Sequence, residues 1–221
     1  MKAGLKTSKT SPPRPLKDLA SEKMPSLRIS HIVYGRQKID SRVVYLVDEK
    51  GKGEERKIAE QVVLHRWRRR KFEGFSFSGA RLSPNLWRVL PLALGDQVEN
   101  WHKLSIEQIR ERVAGNQQIL KDKFTKLPSE NVLHALLNIC GPQRVQQLID
   151  RHTAPDQTEP HGVPDLFLYA VHLRSGAYSI ARFVEVKKPE EQVKKNQHKE
   201  IAFLQSLGLH ARVLRLVERS A

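Results

Sequence analysis

Two short segments near the C-terminal end carry residue types able to do chemistry together. They are Pro164-Asp165 and, nineteen residues (166–184) later, Glu185-Val186-Lys187. The stretch between them reads as a strand at 163–171, a hairpin turn at Arg174-Ser-Gly-Ala177 and a second strand at 178–187. Side chains alternate along a strand, so Glu185 and Lys187 share one face while Val184 and Val186 take the other. Asp165, at the start of the first strand, then converges with Glu185 across the pair. Two carboxylates are hard oxygen ligands suited to Mg²⁺ or Mn²⁺, and the Val186 carbonyl between the two side chains offers another. An ammonium at Lys187 would orient an attacking water or balance charge on a phosphate. A plainer account of the same residues is a charge pair on an exposed strand, with Asp165 as a strand-start cap.

The elements that must position these residues follow from the periodicity. A helix beginning at Pro189 and stopped by Gly208, then a closing strand at 209–217, complete a hairpin, helix, strand order. Upstream lie β-like runs at 27–34 and 41–47, then a helical pattern at 56–71. Gly74-Phe-Ser-Phe-Ser-Gly79 reads as a turn or short loop, and 82–94 as a core segment broken by Pro84 and Pro91. Ser105-Ile-Glu-Gln108 is a capping box that opens a helix running towards Phe124. Ser129 caps another helix, ending at Gly141-Pro142, and a third spans about 143–152. The fold expected is a mixed α/β core with helices packed before the hairpin. Residues 1–25, rich in Lys, Ser and Pro, read as a disordered basic arm, either a linker or a nucleic-acid tether or import signal. Residues 26–221 form the folded domain, with its chemistry in 160–219.

The charge points to a partner. Lys and Arg number 39 against 24 Asp and Glu, a formal net charge of +15 over 221 residues. That excess favours a polyanion, nucleic acid above all. The densest cluster is Arg66, Arg68, Arg69, Arg70 and Lys71, with Trp67 among them. Cations suit a helix C-terminus, but five of them exceed what the helix dipole needs, so the cluster reads as a phosphate-contacting patch. The single cysteine, Cys140, excludes a disulfide framework and a Cys-rich zinc site; it and His134 read as core or boundary residues. No apolar run is long enough for a membrane span and no secretory leader is evident, so a soluble, intracellular protein is expected.

The flanks of the acidic pair carry a family resemblance. Gly162-Val-Pro-Asp-Leu166, Phe183-Val-Glu-Val-Lys187, Pro189 and Gln197 resemble the VRR-NUC branch of the PD-(D/E)xK nuclease superfamily. More closely, the chain resembles the C-terminal nuclease domain of Fanconi-associated nuclease. Ala59-Glu60-Gln-Val-Val-Leu64, Trp67 and Gly74 extend the likeness upstream. The resemblance implies a restriction-endonuclease-like core and structure-selective hydrolysis of DNA, as a 5′-flap endonuclease and 5′-to-3′ exonuclease in interstrand crosslink repair. It implies Mg²⁺ or Mn²⁺ held by Asp165, Glu185 and the Val186 carbonyl, with Lys187 assisting the water. Gln197 would support the site or touch DNA, while Lys188, Lys194 and Lys195 would meet the phosphates of a branched or flapped duplex. A nuclear location follows from the same likeness, or a cytoplasmic one for a bacterial chain. One departure matters: the family's loop glutamate, a metal ligand, corresponds to Ser78, a poor ligand for a hard dication. Glu60 or Glu73 would have to substitute. The expectation is therefore a nuclease, with a nuclease-derived DNA-binding module as the alternative. An RNA-binding basic protein would explain the charge but not the paired acids.

Overall fold

A computed structural model describes residues 29–39, 42–46, 56–122, 126–154 and 162–218. The basic arm expected at 1–25 lies outside the described residues. Seven strands make one mixed sheet: β1 (Ile29–Ile39), β2 (Arg42–Leu46), β3 (Arg56–Lys57), β4 (Phe75–Arg81), β5 (Leu166–His172), β6 (Tyr178–Lys187) and β7 (Ala211–Glu218). Their order is β3-β2-β1-β7-β6-β5-β4. The β1/β7 and β6/β7 pairs are parallel and the others antiparallel. The helices are α1 (Ala59–Arg68), α2 (Leu86–Leu94), α3 (Val98–Trp101), α4 (Ile106–Gly115), α5 (Gln117–Asp122), α6 (Glu130–Thr153) and α7 (Lys195–Ser206). The parallel β6/β7 pair requires a crossover, and α7 provides it.

Strand alternation sorts the core into two layers. Leu166, Leu168, Val184, Val186 and Leu216 face α1, packing on Val62, Val63 and Trp67. Phe167, Tyr169, Phe183 and Val213 face the other way, into a larger core built with α2, α4, α6 and α7. Each sheet face is apolar because each is covered, so β5 reads as a continuous buried run. The capping box at Ser105 forms as its sequence requires, with the Gln108 N–H donating to Ser105 Oγ over 3.2 Å. The two helices expected on either side of Gly141 are present as the two halves of α6, separated by a kink where Gly141 adopts φ 72°.

Three expectations on local structure need correction. Residues 74–79 are not a loop: they lie in β4, paired residue by residue with β5 from Phe75↔His172 to Arg81↔Leu166. The two glycines suggested a turn, but Gly79 is there for room. A Cβ at Gly79 would sit 2.6 Å from the Phe167 carbonyl oxygen. The helix expected from Pro189 begins six residues later, at Lys195. Pro189 sits in an irregular segment that Arg215 ties to β7 by donating to the Lys188 carbonyl over 3.0 Å. Ser129 does occupy the position before α6, but its side chain makes no capping hydrogen bond.

Candidate active site

The site lies where β5 begins and β6 ends. Asp165 immediately precedes β5 and is partly buried. Its Oδ2 accepts from the Val186 N–H over 2.8 Å, which closes the gap left where β5 has run out of residues to pair. Consecutive residues of a strand direct their peptide groups to opposite edges, and each residue's N–H and C=O point the same way. The Val186 carbonyl therefore points to the Asp165 side, as its N–H does. Glu185 and Lys187 sit on the α7 face and are only 4 % and 1 % exposed. Val184 and Val186 bury against α1, which is the alternation the sequence required.

The polar groups of this corner are tightly interlinked. Lys187 Nζ lies 3.1 Å from Glu185 Oε1 and 3.2 Å from Glu191 Oε1, bridging the two carboxylates. Gln197, on the first turn of α7, donates from Nε2 to Glu185 Oε1. Its Oε1 accepts from the Lys194 N–H over 2.9 Å, so both ends of the amide are engaged. Burial drives Glu185 upwards, the Asp165 charge drives it further, and Lys187 only partly offsets them. The carboxyl rises from an ordinary 4.5 to about 7. Asp165 is also raised, by burial first, against the stabilising Val186 N–H bond, with Glu60 and Glu191 adding repulsion. Glu191 is held below its ordinary value: burial opposes this, but the Lys188 N–H and the Lys187 ammonium outweigh it.

α7 is fixed from behind. Glu200, fully buried one turn after Gln197, accepts from Arg151 Nε over 2.9 Å and lies 2.9 Å from His152 Nε2. Burial works against the Glu200 charge, yet the hydrogen bonds and charges of His152 and Arg151 keep its carboxyl below the ordinary range. Removing one partner from such a buried group is costly, so α7 has little freedom to slide. The Gln197 amide is thereby aimed at Glu185.

The family profile of the VRR-NUC domain matches residues 99–218, more than half of the chain. This chain belongs to the VRR-NUC family. That matched region contains Asp165, Glu185 and Lys187, and the family is one of nuclease domains. Two solved structures share the fold. paFAN1 bound to a 5′-flap DNA of two nucleotides with a gap is 15% identical with a TM-score of 0.54, covering 91% of this chain and 39% of that one. paFAN1 bound to a one-nucleotide 5′ flap with a gap is 14% identical with a TM-score of 0.53, covering 91% and 40%. The likeness supports the restriction-endonuclease-like architecture, and this VRR-NUC chain spans about two fifths of the length of those structures. No curated protein matches the chain.

The structure places the other expected residues in two groups. Lys188, Lys194 and Lys195 are exposed beside the acidic corner. Arg66, Arg68, Arg69, Arg70 and Lys71 lie at or beyond the far end of α1. Arg68 donates to the Gly79 carbonyl over 2.6 Å, and Arg70 lies 4.9 Å over the Trp67 ring, so part of this cluster braces β4 and Trp67. Ser78 does not occupy a ligand position. It pairs with Tyr169, four residues along β5 from Asp165, or about 13 Å at the usual strand rise. The carboxylate that approaches from this side is Glu60, in the first turn of α1. Its charge acts on Asp165, and Arg81 lies 3.7 Å from its Oε1. Glu191 was not singled out by the sequence: no helix spans 187–191, so its spacing from Lys187 carried no signal. Among the described residues no three His, Cys, Asp or Glu side chains converge closely enough to hold a metal by themselves. No helix among them is long and apolar enough to cross a membrane.

Proposed function

We propose that this protein is a divalent-metal-dependent, structure-selective DNA nuclease of the 5′-flap endonuclease and 5′-to-3′ exonuclease type, acting in interstrand crosslink repair. The observation that carries the reading is the geometry of the corner: Asp165 Oδ2 is fastened to the Val186 N–H over 2.8 Å, and beside it the buried Glu185 carboxylate lies 3.1 Å from Lys187 Nζ. A buried pair of repelling carboxylates is a poor structural feature and a good cation site. The donors suit Mg²⁺ or Mn²⁺: two carboxylates and, on the same side, the Val186 carbonyl, all hard oxygens. Asp165, Glu185 and Val186 would hold the ion, and Glu60 and Glu191 are the further carboxylates whose charges act on Asp165. When bound, such an ion activates water and neutralises charge on the scissile phosphate. Gln197 orients the Glu185 carboxylate, and Lys187 supplies a fixed ammonium that offsets negative charge in the site and positions a water beside it. Lys188, Lys194 and Lys195 would grip the backbone of a branched or flapped duplex. A nuclear location, or a cytoplasmic one for a bacterial chain, accompanies this reading.

A nuclease-derived DNA-binding module is the second reading, favoured by the absence of a three-residue ligand cluster among the described residues. The departure at Ser78 no longer supports it, because Ser78 is remote from Asp165. Cleavage of an end-labelled 5′-flap DNA with Mn²⁺ separates the two. The nuclease reading expects cutting that Asp165→Ala reduces by a factor on the order of 100 or more. Salt-sensitive binding without cutting by the wild type would establish the second.

A further inference from the structure

At the end of the sheet opposite the acidic corner, two turns meet to form an apolar knuckle. Phe72 and Leu173 are its tips, 64 % and 66 % exposed. Neither is a floppy side chain on a loose loop. The Phe75 N–H donates to the Phe72 carbonyl over 3.1 Å, and the Leu173 N–H donates to the Gly74 carbonyl over 2.8 Å, locking the two turns together. The Phe72 and Phe75 rings lie 5.5 Å apart, and Phe75 meets the His172 ring edge-on at 5.2 Å. His172 is steadied by Ser175, whose Oγ lies 3.0 Å from Nδ1. The result is a propped aromatic surface held out into solvent.

Its surroundings are cationic. Arg69, Arg70 and Lys71 precede Phe72 and Arg174 follows Leu173, all four exposed. Behind them, on the α1 face, the Arg182 guanidinium lies 5.6 Å from the Trp67 ring, and burial together with the charges of Arg212 and Arg70 lowers its basicity. An apolar protein partner would be poorly served by such a rim, whereas an aromatic platform among arginines is the chemistry that takes a nucleobase on the ring and its phosphates on the cations.

We propose that the Phe72–Leu173 knuckle is a base-stacking wedge that takes up an unpaired nucleobase of the DNA. The proposal rests on the DNA-nuclease reading above. His172 lies seven residues beyond Asp165 along β5, about 23 Å at the usual rise. The stacked base therefore sits about seven nucleotides from the acidic corner, at about 3.4 Å per nucleotide. Such spacing lets one domain sense where pairing is interrupted while its acidic residues face a phosphate elsewhere on the duplex.

The test uses the full chain in EDTA with two duplexes, one fully paired and one carrying a single bulged 2-aminopurine. Stacking quenches 2-aminopurine fluorescence, so binding and stacking are read together. The wild type is expected to prefer the bulged duplex by about fivefold or more and to quench its fluorescence. Phe72→Ala should lose both the preference and the quenching while keeping its affinity for paired duplex, and Phe72→Trp should retain them. Equal wild-type affinity for the two duplexes, or quenching that survives in Phe72→Ala, overturns the wedge. Dimerisation of the wild type that Phe72→Ala abolishes would assign the surface to a second copy and also overturn it. A wild type that binds neither duplex would instead sink the DNA reading on which the wedge depends.

Discussion

Glu185 concentrates the chemistry of the site in one titration. In the unfolded chain its carboxyl has its ordinary value of 4.5, and in the fold it rises to about 7. Between those two values the folded protein keeps a proton that the unfolded chain has already released. The contribution of Glu185 to the stability of the metal-free protein therefore falls as pH rises through that window and levels off above it. Glu185→Gln, which keeps an oxygen to accept from Gln197 but carries no charge, should flatten that decline and be the more stable protein at pH 8. Urea unfolding in EDTA from pH 5 to pH 8 measures this, and equal slopes in the two proteins would refute it. Asp165, Glu185 and Lys187 were legible in the sequence because a strand has a strict period of two. Glu191 was not, since an irregular segment brings it back to Lys187. The locked Gln197 amide was half legible: its place beside the site was expected, its bond to Glu185 required α7 to start at Lys195.

Among the elements, β4 shows how a local signal can mislead. Gly-Phe-Ser-Phe-Ser-Gly has the glycines of a turn and the alternation of a strand, and only the long-range pairing with β5 decides between them. Trp67 secures that pairing by donating from Nε1 to the carbonyls of Ser78 and Tyr169, at 2.9 and 3.1 Å, one on each strand. Gly79 permits it, because a side chain there would strike the β5 backbone. Gly79→Ala should thus cost about 1–3 kcal/mol and lower the melting temperature by several degrees. Gly115→Ala, with nothing within 4 Å of the added carbon, should cost nothing measurable. Equal melting temperatures for the two variants would contradict the close approach of β4 to β5. The hairpin, crossover helix and closing strand were legible because each contrasts in periodicity with its neighbours. The helix start at Pro189 was misplaced because proline is as much at home in an irregular segment as at a first helical turn.

For the whole molecule, charge distribution sets the terms. A chain with a net charge of +15 repels dications at long range and attracts polyanions, so any cation it binds tightly must be held locally, against the general field. Composition alone made the basic surface legible. It could not place the acidic corner, which depends on the start of β5 and the end of β6, a buried lysine and a helix fixed by Glu200. The most direct measurement is calorimetric titration with Mn²⁺ at pH 8, where Glu185 is ionised, using wild type and Glu185→Gln. The account predicts Mn²⁺ binding by the wild type that Glu185→Gln weakens by about tenfold or more, as loss of one charged oxygen ligand should. Binding of equal strength in both proteins, or none in the wild type, would contradict it.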